Sequence, residues 1–142
     1  MTAFSFKREL RFGDCDPSGI AYFPSYLNIL NGVVEEFWAT LGFPWPQLIG
    51  VRKIGTPTVH LTCDFSRPAM FGDVLTFALQ IVKVGGASLE LRHVVSDKGE
   101  LRWRAQQVLV ATSLTDHRAL RWPDDVRAAL ESHLDAPADR AD

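Results

Sequence analysis

The stretch FGDCDPSGIAYFPSYLNILNGVVEEFWATLG, residues 12–42, decides how the rest of the chain is read. Its first part is dense in turn formers: Gly13, Asp14, Asp16, Pro17, Ser18 and Gly19 lie almost side by side. Its second part changes period. Tyr26, Leu27, Ile29, Leu30, Val33, Val34, Phe37, Trp38 and Leu41 recur at spacings of three and four, the mark of a helix with a wide apolar stripe. Pro24 suits the first helical turn, where its missing N–H is no loss, and Gly42 suits the stop. The spacing predicts a helix over 24–41, about 27 Å long at roughly 1.5 Å per residue. A stripe that wide implies a helix wrapped by other structure.

Outward from this segment, both flanks read as strands. Before it, Phe4, Phe6, Leu10 and Phe12 alternate with Ser5, Lys7, Glu9 and Arg11. Arg8 breaks the apolar set, which places the middle of that strand near an edge or a partner. After the helix, FPWPQLIGVRK (43–53), with its prolines and glycine, reads as irregular. Val59, Leu61, Cys63 and Phe65 then alternate with Thr58, His60, Thr62 and Asp64 in a second strand. SRPAMFGD (66–73) turns the chain into a third strand, Val74–Val84, with Leu75, Phe77, Leu79 and Ile81 on one face. GGAS (85–88) leads into Leu89–Val95, and DKGE (97–100) into Leu101–Leu114. A short helix is expected after Pro123, and the polar end DAPADRAD (135–142) is expected to fray. The organisation expected is one α+β domain over 1–134, a long helix and an antiparallel sheet covering each other's apolar faces. One helix covers one sheet face, so oligomer formation is expected as well.

The totals narrow the function. A chain of 142 residues with 46% hydrophobic and 23% charged residues suits one soluble domain. Such a domain buries roughly two-thirds of its unfolded surface and needs no staple. A net charge of −2 argues against general nucleic-acid binding, which takes a surplus of Lys and Arg, yet leaves room for a basic patch serving one phosphorylated ligand. The two cysteines, Cys15 and Cys63, are too few for a disulfide scaffold or a four-thiolate zinc site, and no metal is expected. MTAFSFKREL lacks an apolar run behind a basic region, and no stretch approaches the ~18 apolar residues of a membrane span, so the expected location is the cytoplasm, away from membranes.

Residues 12–26 also carry the chemistry. They put a carboxylate, Asp16, in a tight loop directly before a buried helix, whose first N–H groups lack internal partners and sit at the positive end of the dipole. A carbonyl oxygen docked there is polarised, and a carboxylate nearby can attack its carbon or activate a water. By composition alone the same residues read as turn and cap chemistry.

The stretch from Phe12 to Tyr26 closely resembles the active-site signature of the 4-hydroxybenzoyl-CoA thioesterase family, and the similarity continues through Gly55-Thr56-Pro57 and the Arg67-Pro68 … Gly72-Asp73 turn. The resemblance implies a hotdog fold: a long helix wrapped by a curved antiparallel sheet of about five strands. It implies side-by-side dimers, commonly paired into a homotetramer, with active sites at the dimer interface. It implies hydrolysis of an acyl-CoA, possibly an aroyl-CoA such as a hydroxybenzoyl-CoA, with coenzyme A as part of the substrate and no separate cofactor. Asp16 matches the catalytic aspartate, and the N–H of Phe23 matches the donor that polarises the thioester carbonyl. Tyr22, Asn31, Trp45 and Thr56 are the substrate-binding candidates. Asn31 stands where the hydroxybenzoyl enzyme has an aspartate facing the acyl group. Gly85-Gly86-Ala87-Ser88 replaces a basic turn that contacts CoA phosphates, so the alternatives are Lys83, Arg67 or another cation, glycine N–H groups, or a different thiol carrier.

Rival residues are weighed against these. Asp14 reads as structural, and Cys15 as a small buried thiol, because the first histidine in the chain is His60. Glu35 and Glu36 are considered because another branch of hotdog thioesterases uses a glutamate on the central helix. His60 reads as a surface or interface histidine. The other functional readings are a non-catalytic acyl-CoA or acyl-carrier binder, and a hotdog dehydratase, which would rely on a histidine near the helix that this chain lacks.

Overall fold

The helix read from the three-and-four period is the axis of the structure. In the computed structural model, which describes residues 4–134, α1 runs Phe23–Leu41, starting one residue before Pro24 and stopping at Gly42. Gly42 takes the left-handed conformation (φ +108°), and its N–H caps the Ala39 and Trp38 carbonyls. Leu30, Val33, Val34, Phe37 and Trp38 are buried, and Phe37 and Trp38 wholly so. Replacing a side chain such as Phe37 by alanine removes about 3–5 kcal/mol in a core of this kind. The tail assigned to 135–142 lies outside the described residues.

Around α1 curls a five-stranded antiparallel sheet built from β1 (Phe4–Glu9), β3 (Thr58–Phe65), β4 (Val74–Val84), β5 (Ser88–Asp97) and β6 (Glu100–Val110), in the order β1-β4-β5-β6-β3. Leu75, Phe77, Leu79 and Ile81 of β4, Leu89, Leu91 and Val95 of β5, and Trp103, Ala105 and Leu109 of β6 face the helix and are buried. The β5–β6 turn holds Lys98 (φ +53°) and Gly99 (φ +80°), the paired left-handed residues of a tight hairpin. Beyond the sheet, α3 (Asp124–Glu131) buries Val126 and Leu130. This is the hotdog arrangement the resemblance implies. Among the described residues no helix is long and apolar enough to cross a membrane.

Four details differ from the sequence reading. Phe12 is not part of the first strand: β1 ends at Glu9, and Phe12 is 76% exposed at the start of a short 3₁₀ turn. The turn is stabilised by Asp14, whose carboxylate accepts the Arg11 N–H (2.9 Å). The segment 43–53 holds a short helix, α2 (Trp45–Leu48), entered from Pro44. The last strand does not continue to Leu114, because Ala111 is fully buried and bonds Ala87 and Leu120. Thr112–Ser113 (β7) then pairs with Ile54–Gly55 (β2) in a separate ribbon. Finally, the apolar face of β3 is covered in part: Leu61 and Cys63 pack against the core and Phe65 stacks on Tyr26 of α1, yet Val59 stays 59% and Phe65 49% exposed, because β3 is an edge strand. Arg8 on the other edge strand reaches α1 instead and pairs with Glu36 (2.5 Å).

His93 is the charged-capable group buried deepest among these apolar residues, with none of its surface exposed. Burial lowers its pKa from 6.5 to about 4, against a smaller opposing effect of its bond to Gln107. The unfolded chain therefore takes up a proton that the folded chain refuses. Stability from this residue is complete above the unfolded pKa and declines as the pH falls toward the folded one, by about 3 kcal/mol in total. Urea unfolding at pH 7 and pH 4.5 should show this loss in the native chain and not in His93→Gln. Parallel pH curves for the two would assign the loss to other groups.

Candidate active site

The loop from Leu10 to Tyr22 is folded by its own backbone. The Asp16 N–H donates to Ile20 O and the Gly19 N–H to Asp16 O (both 2.9 Å), closing a tight turn in which Gly19 takes φ +82°. Cys15 bridges to Ala21, and the Tyr22 N–H donates to Asp14 O (2.8 Å). The loop is also strapped to the distant turn at 69–73. The Ala21 N–H donates to Ala69 O (2.9 Å), the Phe71 N–H to Gly19 O (3.0 Å) and the Gly72 N–H to Leu10 O (2.9 Å). Met70 N–H is held by the Asp73 carboxylate (2.8 Å).

Asp16 is half-buried within this frame. Its Oδ1 accepts the Ser18 N–H (2.8 Å) and the Ser18 hydroxyl, while Oδ2 has no partner among the described residues. The Ser18 hydroxyl, then the Ser18 N–H, hold the carboxyl below its ordinary pKa, so Asp16 is ionised at neutral pH. Asp14 is occupied at both ends, its carboxylate on Arg11 N–H and its carbonyl on Tyr22 N–H, which makes it structural.

The start of α1 leaves one donor. The Tyr22 N–H is used by Asp14, Pro24 has none, and the Ser25 N–H turns back onto Tyr22 O (2.8 Å). The Phe23 N–H meets no acceptor among the described residues, at the end of a 19-residue helix where the dipole is positive. Beside it lies a cavity of about 300 Å³ lined by Ile20, Ala21, Phe23, Tyr26, Phe65, Ser66, Arg67 and Pro68. Tyr26 forms part of its floor: its ring stacks on Phe65 (5.6 Å) and its oxygen accepts the Ala69 N–H (3.2 Å). Burial, before other effects, raises its pKa, so the phenol stays protonated.

The remaining candidates are dispersed within one chain. Tyr22, the residue before α1, is exposed next to the cavity. Asn31 is exposed on α1, Trp45 is half-buried in α2, and Thr56 is half-buried between β2 and β3; none of them lines the cavity. Glu35 is exposed, and Glu36 is engaged by Arg8. Burial first, then Asp14 and Asp16, raise the pKa of Cys15, the opposite of what a nucleophilic thiol needs. Of the cations weighed for coenzyme phosphates, Arg67 lines the cavity and Lys83 does not. The Gly85 and Gly86 carbonyls are fastened to α3 by Arg127 (2.7 and 3.0 Å). Among the described residues no group of three His, Cys, Asp or Glu side chains could hold a metal ion. The wall made by Phe65, Ser66 and Pro68 escaped the sequence reading; the only signal for it was the Arg67-Pro68 turn.

The model of the thioesterase-like superfamily matches residues 10–130, taking in the loop, α1, every strand of the sheet but β1, and most of α3. The chain belongs to the thioesterase-like superfamily. The 4-hydroxybenzoyl-CoA thioesterase of Pseudomonas sp. strain CBS-3 is 35% identical over 96 residues, 66% of this chain and 68% of that protein. Its solved structure superposes with a TM-score of 0.83, covering 91% of this chain and 99% of that one at 30% identity. A 1,4-dihydroxy-2-naphthoyl-CoA hydrolase of Synechococcus elongatus is 30% identical over 135 residues, 94% of this chain and 93% of that one. The structure of BH1999, a gentisyl-coenzyme A thioesterase, gives a TM-score of 0.80 at 29% identity over 90% of this chain and 99% of that one. As a member of the thioesterase-like superfamily with the hotdog fold, this chain is an enzyme, an acyl-CoA thioester hydrolase.

The Asp16–Ser18 contact can be tested apart from turnover. Ser18→Ala removes the larger of the effects that lower the Asp16 pKa, so the carboxyl should titrate at higher pH in the variant. Carbon-detected NMR titration of the Asp16 side chain measures it directly; an unmoved midpoint would refute the assigned cause.

Proposed function

We propose that Asp16 and the Phe23 N–H are the working pair of this thioesterase, and that its substrate is an aroyl-CoA. The observation that carries the reading is the one N–H at the start of α1 that meets no acceptor among the described residues, beside a cavity and close in sequence to a carboxylate with one oxygen unpartnered among them. With the thioester oxygen on the Phe23 N–H, the charge that develops there during attack is stabilised by a fixed donor and the helix dipole. Asp16 then acts in one of two ways. As nucleophile it attacks the thioester carbon, expels the CoA thiolate and forms a mixed anhydride, which water opens. As general base it takes a proton from the water that attacks instead.

The acyl assignment is supported by the relatives, which act on 4-hydroxybenzoyl-, 1,4-dihydroxy-2-naphthoyl- and gentisyl-CoA, and by the aromatic walls Tyr26 and Phe65 of the cavity. Asn31 carries no charge, which favours a neutral hydrogen bond to the ring over the carboxylate contact of the hydroxybenzoyl enzyme.

The same proposal includes a two-fold dimer through β3. An edge strand with Val59 and Phe65 uncovered and unpaired backbone is suited to pairing with its own copy, and such an isologous contact makes the two strands antiparallel. Asn31, Trp45 and Thr56, which do not line the cavity of their own chain, would then approach the site from the second copy.

Asp16→Asn should keep the fold and the affinity for substrate while kcat falls about 10²-fold or more. A thiol-release assay across benzoyl-, hydroxybenzoyl-, phenylacetyl- and aliphatic acyl-CoAs reads this, and turnover within about threefold of the native rate would move the role elsewhere. Val59→Asp, a charge set into the β3 edge, should reduce the sedimenting mass to the 15.9 kDa of one chain and abolish turnover together. A fully active monomer would show that one chain completes the site.

A further inference from the structure

Beneath α1, away from the cavity, three polar side chains form a line through an otherwise apolar layer. His93 on β5 meets Gln107 on β6, with Nε2 to Oε1 at 2.9 Å. The Gln107 Nε2 donates to the Thr58 Oγ1 on β3 at 2.8 Å. His93 and Gln107 are buried, whereas Thr58 is exposed. The His93 Nδ1 is buried with no partner among the described residues.

The line has a direction. Burial keeps the imidazole neutral, so one ring nitrogen carries a proton and the other a lone pair. With the Gln107 oxygen toward His93, the proton sits on Nε2 and the orphan Nδ1 buries only a lone pair. Turning the amide round would place the proton on Nδ1, leaving a buried N–H with no acceptor, the costlier arrangement. The sequence of donors is therefore His93 to Gln107 to Thr58. Thr58 accepts from inside, and its own hydroxyl proton is left to point outward.

We infer that His93 and Gln107 are positioning residues that fix Thr58 as a hydrogen-bond donor to a ring oxygen of the acyl group. The inference rests on the proposed dimer. Thr58 opens β3 and Phe65, on the cavity wall, closes it, roughly 23 Å apart along an extended strand. A two-fold axis through the middle of β3 sets Thr58 of one copy beside the partner's Phe65. The line of bonds then ends at the acyl end of the partner's cavity. Nothing in the proposed hydrolysis uses His93 or Gln107, yet a buried polar pair of this kind is expensive unless it is satisfied, and here its exit is a single oriented hydroxyl.

The test is the ratio of kcat/KM for 4-hydroxybenzoyl-CoA over benzoyl-CoA. The native enzyme should favour the hydroxylated ring. Thr58→Val should lower the ratio about five- to tenfold, and Thr58→Ser, which keeps the hydroxyl, should restore it. Gln107→Leu should lower the ratio by a similar factor. Gln107→Glu should do so too, because it can only accept and draws the Thr58 proton back. Adding Gln107→Leu to Thr58→Val should lower the ratio no further. Any one of three results overturns the inference: no native preference for the hydroxylated ring, equal losses on both substrates, or additive effects in the double variant. Absence of thiol release from every thioester would instead sink the proposed function, and this inference with it.

Discussion

The ladder of backbone hydrogen bonds between residues 10–21 and 69–73 is the constraint on which the candidate site depends. Ala21 to Ala69, Phe71 to Gly19 and Gly72 to Leu10 tie a loop near the beginning of the chain to a turn at its middle. Each bond uses groups that would otherwise be unsatisfied in an irregular segment, so the loop gains definition without belonging to the main sheet. Asp73 reinforces the turn from inside by holding the Met70 N–H, and Arg102 approaches Asp73 from β6 at 4.0 Å. Glycine is needed at Gly72, whose φ of +91° would strain any residue with a Cβ. The separate motifs of the sequence are thus two halves of one fastening.

That fastening fixes the helix start on which the proposed chemistry rests. Free N–H groups at a helix end are ordinary; what is specific here is their reduction to one. Tyr22 is held by Asp14, proline occupies the next-but-one position, and Ser25 folds back onto Tyr22, which leaves the Phe23 N–H as a fixed single donor. A fixed donor needs no reorganisation when charge develops on its partner, which is why it is worth more than a mobile one. Ser18 complements this by stabilising the ionised form of Asp16 through one oxygen and leaving the other free.

How much of this could be read from the residues follows from distance along the chain. The extent of α1, the inward face of β4 and the Lys98-Gly99 turn were legible because each is set by neighbours within a few positions. The placement of Asp16 in a tight turn before the helix and of Phe23 at its start was legible for the same reason, as both belong to one continuous stretch. Phe65 and Pro68 were not, since they reach the cavity from some forty residues further on through sheet pairing. The alternation in β3 correctly gave a strand, but alternation reports which side chains share a face and not whether that face is covered. Phe12 followed the period and still left the strand, because the Arg11–Asp14 cap ends the extended chain first.

The exposed edge of β3 also bears on the life of a newly made chain. A solitary chain displays a rim of open backbone flanked by Val59 and Phe65. Such a rim accepts any extended segment, including one from an unfolded stranger. In the proposed dimer a second copy covers that rim, and the pairing of like chains then competes with aggregation.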